Sequence, residues 1–369
     1  MKTRETILKE ITFTMIPLVG PVMGRQLITY CGSIEAVFTE SKRLLKTIPG
    51  IGEEIATQIA QASAYHEAAE RELAYMENEN ISYVFYYDTH YPTRLFHLPD
   101  APLLLYTKGN IELQPQRSAA IIGTRKPTVY GKSITEELVE TLAAYDVTIV
   151  SGLAYGIDIT AHKACLQNQV PTIGVMGSGM GTIYPDSHSD IVRQMMQKGG
   201  IITEFTYETG PDAVNFPMRN RIVAGLCDVL IVVESAIKGG SMITANLAND
   251  YNKDVAAFPG RKTDKNSAGC NFLIKRQQAH LIESGEDLIH LMSWHQNTRQ
   301  QSFQTDLFTN MTSDEQKIYK LIIDNEEKDI DTLAFHSKST PGELAAILLS
   351  LEFKGAIKSV PGKKFVAIG

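Results

Sequence analysis

The rhythm of apolar and polar positions changes twice along the chain. Up to about Glu77 apolar residues recur at helical spacing, and glycine- and proline-bearing turns interrupt them. The stretch MIPLVGPVMGRQLITYCG (15–32) is a helix, a Val-Gly-Pro turn and a second helix, and LLKTIPGIGEEIATQIAQA (44–62) repeats the scheme around Pro-Gly-Ile-Gly. From about Ser118 to Trp294 the apolar residues instead form short unbroken runs. AAIIG (119–123), VTIVSG (147–152), PTIGVMGSG (171–179), GIITE (200–204), DVLIVVES (228–235), DVAAFPG (254–260) and AHLIES (279–284) alternate with helical stretches. Those helices are predicted over 131–145, 158–167, 188–197, 219–226, 241–251 and 270–278. Unbroken runs mark strands buried on both faces, which is the habit of a parallel sheet covered by helices. The predicted fold class is α/β, with a doubly wound, mostly parallel Rossmann-like sheet.

The connector ISYVFYYDTHYPTRLFHLPDAPLLLYTKGN (81–110) carries a β-rich patch, a proline-punctuated loop and a short strand over 103–106. After Trp294 the polar segment HQNTRQQSFQTD reads as a linker. SDEQKIYKLI opens a helix with Ser313 as N-cap, IDTLAFHS gives a second, and TPGELAAILLSLEFKG a third with Pro341 at its start. AIKSVPGKKFVAI is strand, turn, strand, so a winged helix is expected. The predicted domains are a helix-hairpin-helix or SAM-like domain over 1–78, the Rossmann-like domain over 79–294, a linker over 295–309 and a winged helix over 310–369.

Composition narrows the function classes. The 369 residues are 43% hydrophobic and 21% charged, with no apolar run of membrane-spanning length and no signal-peptide pattern at the start. Cys31, Cys165, Cys227 and Cys270 are scattered without CxxC spacing, which argues against zinc and disulfides and fits a reducing cytoplasm. With a net charge of −7, binding of nucleic acid requires a local basic patch. The turn Gly50-Ile51-Gly52 suits a phosphate-contacting hairpin, but Glu53 and Glu54 follow it and repel phosphate.

In an open parallel sheet, ligands bind beyond the carboxyl ends of the strands. The loops there hold Gly, Arg, Lys, Ser and Asn, and their few acids, such as Asp158 and Asp212, form no cluster with a histidine. A GxxxxGK[ST] loop, a GxSxG elbow and an HExxH pair are all missing, and GSGMG (177–181) lacks the context of a dinucleotide fingerprint. No cofactor and no metal are therefore predicted. Three features suit a phosphate instead. Arg125 follows the first strand of the series. Gly239-Gly240-Ser241 opens a helix. In NFPMRNRIVAGL (215–226), Arg219, Asn220 and Arg221 are expected in an exposed first turn, with Ile222, Val223, Ala224 and Leu226 anchoring the helix on the sheet. Phe216 is placed to stack on a base.

These motifs together resemble the DNA-processing protein A (DprA/Smf) family. GTRKPTVYG, SGLAYGIDITAH, VMGSGMGTIYP, ITEF, NFPMRNRIVAGL, VVES with GGSMITA, and FPG with GCNFLI are similar to it in order and spacing over residues 99–284. The resemblance implies a non-catalytic cytoplasmic protein that binds single-stranded DNA, dimerises through the Rossmann-like domain and loads the RecA recombinase during natural transformation. It implies DNA-binding roles for Arg125, Phe216, Arg219, Asn220, Arg221, Gly240 and Ser241, with Lys238, Arg261 and Lys262 extending the groove. Tyr155 stands where many members carry a basic residue, which exchanges a phosphate contact for a stacking surface. The winged helix is near neutral between Met311 and Gly369, with eight Lys and nine Asp/Glu, and 341–353 carries Glu343 and Glu352 without a Lys or Arg. That composition favours a protein-contact or regulatory role over sequence reading. The rival reading is a Rossmann-type hydrolase of nucleoside monophosphates, although Lys238–Ala245 lacks the Glu of the PGGxGTxxE loop typical of such enzymes.

Overall fold

The computed structural model describes residues 2–295, 311–323, 328–337, 339–354, 356–360 and 364–367. The linker expected over 295–309 lies outside them except for His295. Contacts divide the chain into two units, Met1–His295 and Gln296–Gly369.

The first unit opens with six helices, Arg4–Met15, Pro21–Cys31, Ile34–Thr39, Lys42–Leu45, Glu53–Ala60 and His66–Glu79. Their limits follow from local chemistry. The Thr3, Ser33 and Ser41 side chains accept N–H groups of the first turns of three of them. Pro21 begins another, where its missing N–H costs nothing.

The strands are β1 (Ser82–Phe85), β2 (Leu104–Gly109), β3 (Arg117–Ile122), β4 (Val147–Gly152), β5 (Thr172–Val175), β6 (Gly199–Thr203), β7 (Val229–Val232), β8 (Asp254–Ala257) and β9 (His280–Leu281). Among the described residues they form one nine-stranded sheet in the order β1-β2-β6-β5-β4-β3-β7-β8-β9. All pairs from β6 to β9 are parallel, while β1 and β2, from the connector, add an antiparallel edge. The chain steps outward from β3 to β6, then returns to the other side of β3 as β7. The β3/β7 junction is therefore the topological switch point, where an open α/β sheet leaves a crevice.

Strand alternation assigns the two faces. Ala119, Ile121 and Ile149 join one core with Leu138 and Val139 of the Val129–Leu142 helix. Ala120, Ile122 and Val150 join the other with Ile222 and Val223 of the Asn215–Leu226 helix, and with Ile11, Phe13 and Leu27 of the N-terminal helices. The N-terminal layer is thus part of the same core as the second face. Ile121, Ile149 and Ile231 are fully buried, so truncating any of them to Ala costs about 2–5 kcal/mol.

In the second unit, helices Ser313–Ile323, Ile330–Ser337 and Pro341–Phe353 accompany a three-stranded sheet of β10 (Lys328–Asp329), β11 (Ile357–Val360) and β12 (Lys364–Ala367). The first helix is capped one residue earlier than expected. Thr312 Oγ1 accepts the Glu315 N–H and Glu315 returns a carboxylate to the Thr312 N–H, so Thr312 rather than Ser313 is the cap. Glu315 also accepts Ser350 Oγ and Lys354 Nζ at 2.6 and 2.7 Å. Desolvation opposes its ionisation, but those partners prevail and hold its carboxyl at about 2. The Pro341–Phe353 helix exposes Glu343, Glu352, Leu349 and Phe353. No helix among the described residues is long and apolar enough to cross a membrane.

Candidate nucleic-acid interface

A cleft of 380 Å³ opens at the β3/β7 switch point. Its walls come from loops at the carboxyl ends of β3, β4 and β7 and from the Asn215–Leu226 helix. It brings together six of the residues singled out in the sequence: Arg125, Phe216, Arg219, Asn220, Gly240 and Ser241. Arg221, Lys238 and Arg261 do not line it.

The Asn215–Leu226 helix starts four residues earlier than the pattern suggested. Pro217 belongs to the first turn, where backbone N–H groups have no intrahelical acceptor in any case, so it does not delay the start. The shift rotates the arginines away from the helix end. Arg219 is 5% and Arg221 9% exposed, so the expectation of an exposed first turn for the Arg219–Asn220–Arg221 triplet is corrected. The two arginines then face different surroundings. Arg221 pairs with Glu204, with 10% and 11% side-chain exposure. Arg219 turns to the cleft, where it donates to the Val175 carbonyl and, from Nε at 3.2 Å, to the Asn220 amide oxygen. None of the ion pairs among the described residues includes Arg219. Burial pulls its guanidinium below its ordinary range, against the pull of Asp158.

Asp158 shares the cleft floor without closing an ion pair. Burial pushes its carboxyl up to about 6, against Arg219 and the Ala154 N–H, which favour the charged form. Gly152 lies between the two groups. A Cβ there would stand 2.5 Å from Asp158 Oδ2 and 2.6 Å from Arg219 Nη2, so only glycine lets both approach.

The upper wall is aromatic and cationic. The exposed Arg125 guanidinium lies 6.0 Å from the centre of the half-buried Phe216 ring. The Tyr184 ring centre lies 5.7 Å from that of Phe216, and Tyr184 is 49% exposed. Tyr155, 50% exposed, borders the same corner together with Arg125 and Arg219. Sequence reasoning missed Tyr184; its signal was a tyrosine following the glycine-rich run 177–181. The opposite wall is the start of the Gly240–Asp250 helix, whose N-cap Gly239 supplies no side-chain cap. A Cβ on Gly240 would meet nothing within 4 Å, so the helix end is open to the cleft. Ser241 is only 8% exposed, and its hydroxyl proton goes to Ser235 Oγ at 2.7 Å. Its hydroxyl therefore offers the cleft an acceptor rather than a donor.

Lys238 and Arg261 are exposed on neighbouring loops. Asn266 ties the 261–266 loop to the Arg125 loop through its donation to the Lys126 carbonyl at 3.0 Å. The loop preceding the Asn215–Leu226 helix is held from the N-terminal layer. Glu72 accepts the Tyr207 N–H at 2.9 Å, and the Tyr75 and Tyr207 rings stack at 4.4 Å. Among the described residues, no group of three or more His, Cys, Asp or Glu is arranged to hold a metal ion.

Comparisons with known proteins agree with this architecture. The family described as DNA recombination-mediator protein A matches residues 82–293. The DprA winged helix domain matches 309–363, and a SAM-like helix-hairpin-helix tandem matches 10–63. Protein Smf of Escherichia coli is 33% identical over 307 residues, covering 80% of each chain. DNA processing protein DprA of Streptococcus pneumoniae is 38% identical over 202 residues, 55% of this chain and 71% of that one. The crystal structure of DNA processing protein A from S. pneumoniae superposes with a TM-score of 0.64 at 28% identity, covering 80% of this chain and 99% of that one. A structure of DNA processing protein A from Helicobacter pylori, described for its single-stranded DNA binding mode, gives 0.53 at 33% identity over 58% of this chain and 97% of that one. With a matching order of helix-hairpin-helix, Rossmann-like and winged-helix parts, the chain belongs to the DNA recombination-mediator protein A (DprA/Smf) family.

Proposed function

We propose that the protein binds single-stranded DNA across the switch-point cleft and passes it to the RecA recombinase during DNA uptake and recombination. It does so in the cytoplasm as a homodimer joined through the Rossmann-like domain, and without catalysis. The observation that carries this reading is Arg219, a buried guanidinium facing a cleft with no carboxylate in ion-pair contact. Buried charge without a partner is costly, and a DNA phosphate supplies the missing counter-charge. Arg125, Asn220 and the open Gly240 helix end add donors around the same space, and the helix dipole favours an anion there. Phe216, Tyr184 and Tyr155 offer faces for unpaired bases, which duplex DNA cannot present. Lys238 and Arg261 extend the positive rim. Arg221 contributes indirectly, by anchoring the helix that aims Arg219. The S. pneumoniae relative, a DNA processing protein, and the H. pylori relative, whose structure is described for its single-stranded DNA binding mode, support the DNA-processing and single-strand parts of this reading.

Among the described residues Asp158 is the single carboxyl lining the cleft, and no histidine lines it. That set suits holding a phosphodiester and lacks the acid–base pair that hydrolysis needs. The test is binding of labelled oligo-dT across a salt series, with wild type against Arg125→Ala/Arg219→Ala. Wild-type log affinity should fall with log salt at about −0.7 per phosphate contacted. The double variant should bind at least about 100-fold more weakly, at roughly a tenfold loss per charged contact. Undiminished binding by a folded double variant, or release of free base from nucleoside monophosphates by the wild type, contradicts the proposal.

A further inference from the structure

In a doubly wound fold, the helix after the central strand usually points its free N–H groups at an anionic ligand. Here that helix is Val129–Leu142, and its N-terminus is already occupied by a carboxylate of the chain itself. Glu234 follows β7, is 3% exposed and does not line the cleft. Its Oε2 accepts the Thr128 N–H at 2.9 Å, and its Oε1 accepts the Thr128 hydroxyl at 2.5 Å. Thr128 is the N-cap, and its Oγ1 accepts the Gly131 N–H at 3.1 Å. Gly131 makes room for this arrangement, because a Cβ there would lie 2.5 Å from the Glu234 carboxyl group. The backbone of the same residue grips the other end of the loop, where the Thr124 N–H donates to the Glu234 carbonyl at 2.7 Å. Arg125 stands between the two grips.

We infer that Glu234 is a positioning residue for DNA binding: it clamps the 124–128 loop at both ends, aims Arg125 across Phe216, and closes the adjacent helix end to any outside phosphate. Ligand phosphates are thereby confined to the side of the cleft lined by Arg219 and Gly240. This inference rests on the single-strand reading above.

Charge and positioning predict opposite signs, which makes the point testable. Glu234→Gln removes a negative charge near the site, so an electrostatic role alone would raise affinity for DNA. Positioning predicts the reverse, because Gln has a single acceptor oxygen and cannot accept both the Thr128 N–H and the Thr128 hydroxyl proton as Glu234 does. Oligo-dT binding should weaken roughly tenfold, and the salt slope should fall by about 0.7, as if one phosphate contact were lost. Glu234→Gln/Arg125→Ala should bind no more weakly than Arg125→Ala alone, because both changes remove one contact. Thr128→Val, which removes the hydroxyl partner of Glu234 together with the cap on the Gly131 N–H, should lower the slope in the same direction and serves if Glu234→Gln does not fold. Unchanged or tighter binding by folded Glu234→Gln, additive losses in the double variant, or an Arg125→Ala protein that binds like wild type would each overturn the inference while leaving single-strand binding standing. Failure of the wild type to bind oligo-dT at low salt would overturn both.

Discussion

At the amino end of the parallel sheet, beside Asp228 just before β7, Arg94 of the short Thr93–Phe96 helix has every arm engaged. Nε and Nη2 reach the two Asp228 carboxylate oxygens at 2.7 and 2.8 Å, Nη1 the Pro115 carbonyl at 2.7 Å, and Nη2 also the Gln116 carbonyl at 3.1 Å. Asp228 in turn accepts the Ser118 N–H at 2.8 Å, fixing the start of β3. At the carboxyl end Arg219 is more deeply buried than Arg94, yet it has only a carbonyl and a neighbouring amide as acceptors. Both ends have the same sheet and the same residue type. The difference shows where the fold completes its own electrostatics and where it leaves room for a ligand.

The sharpest way to break this comparison is to exchange the two arginines of one helix. Arg221→Met leaves Glu204 buried and unpaired, in a place where burial already pushes its carboxyl up against the pull of Arg221. The expected cost is about 3–5 kcal/mol in urea or guanidinium unfolding, with the DNA affinity of the folded protein little changed. Arg219→Met removes a buried charge that lacks an ion-pair partner. Its stability should stay within about 1 kcal/mol of wild type, and oligo-dT binding should weaken by roughly tenfold or more. If both variants lost stability equally, Arg219 would be as structural as Arg221 and the functional reading would fail.

Arg94→Ala sharpens the comparison from the other end. It strands Asp228 at a half-exposed position, so a loss of about 2 kcal/mol is expected from the missing charged hydrogen bonds. Oligo-dT affinity and its salt slope should be unchanged. A lower slope would mean that DNA runs past the amino end of the sheet.

How far these roles were readable from sequence depends on the kind of information. The strand runs from residue 119 to 260 were legible because a sheet covered on both faces requires unbroken Val, Ile and Ala. The meeting of Arg125, Arg219 and Gly240 was legible because strand ends share one edge. The burial of Arg219 and Arg221 was not. It depends on a helix start four residues upstream, and propensity fixes helix ends poorly when Pro217 is as acceptable inside the first turn as before it. Glu204, which pairs with Arg221, and Asp158, which shares the cleft floor with Arg219, lie 17 and 61 positions away, and no local pattern announces either. The antiparallel edge of β1 and β2 was hidden for a similar reason, since its pairing with β6 is a long-range contact.

The smallest expected effect concerns Asp158. Burial, opposed by Arg219, holds its carboxyl at about 6. The neighbouring His162 is kept neutral by burial down to about 4, so Asp158 is the cleft group that changes charge between pH 7.5 and 5.5. Because the folded-state value is raised above 3.8, its contribution to stability is full below about pH 4 and is lost as pH rises through about 6. Binding follows the same sign. Above pH 6 the carboxylate opposes a phosphate beside Arg219, and below it the neutral acid does not. Wild-type affinity for oligo-dT should rise about fivefold from pH 7.5 to 5.5, or about 1 kcal/mol, the scale of one carboxylate–phosphate repulsion in an open cleft filled with water. Asp158→Asn should bind at pH 7.5 as wild type does at pH 5.5, with a flattened profile. A profile in Asp158→Asn as steep as that of wild type would assign the pH dependence to groups outside the cleft and remove Asp158 from the phosphate's surroundings.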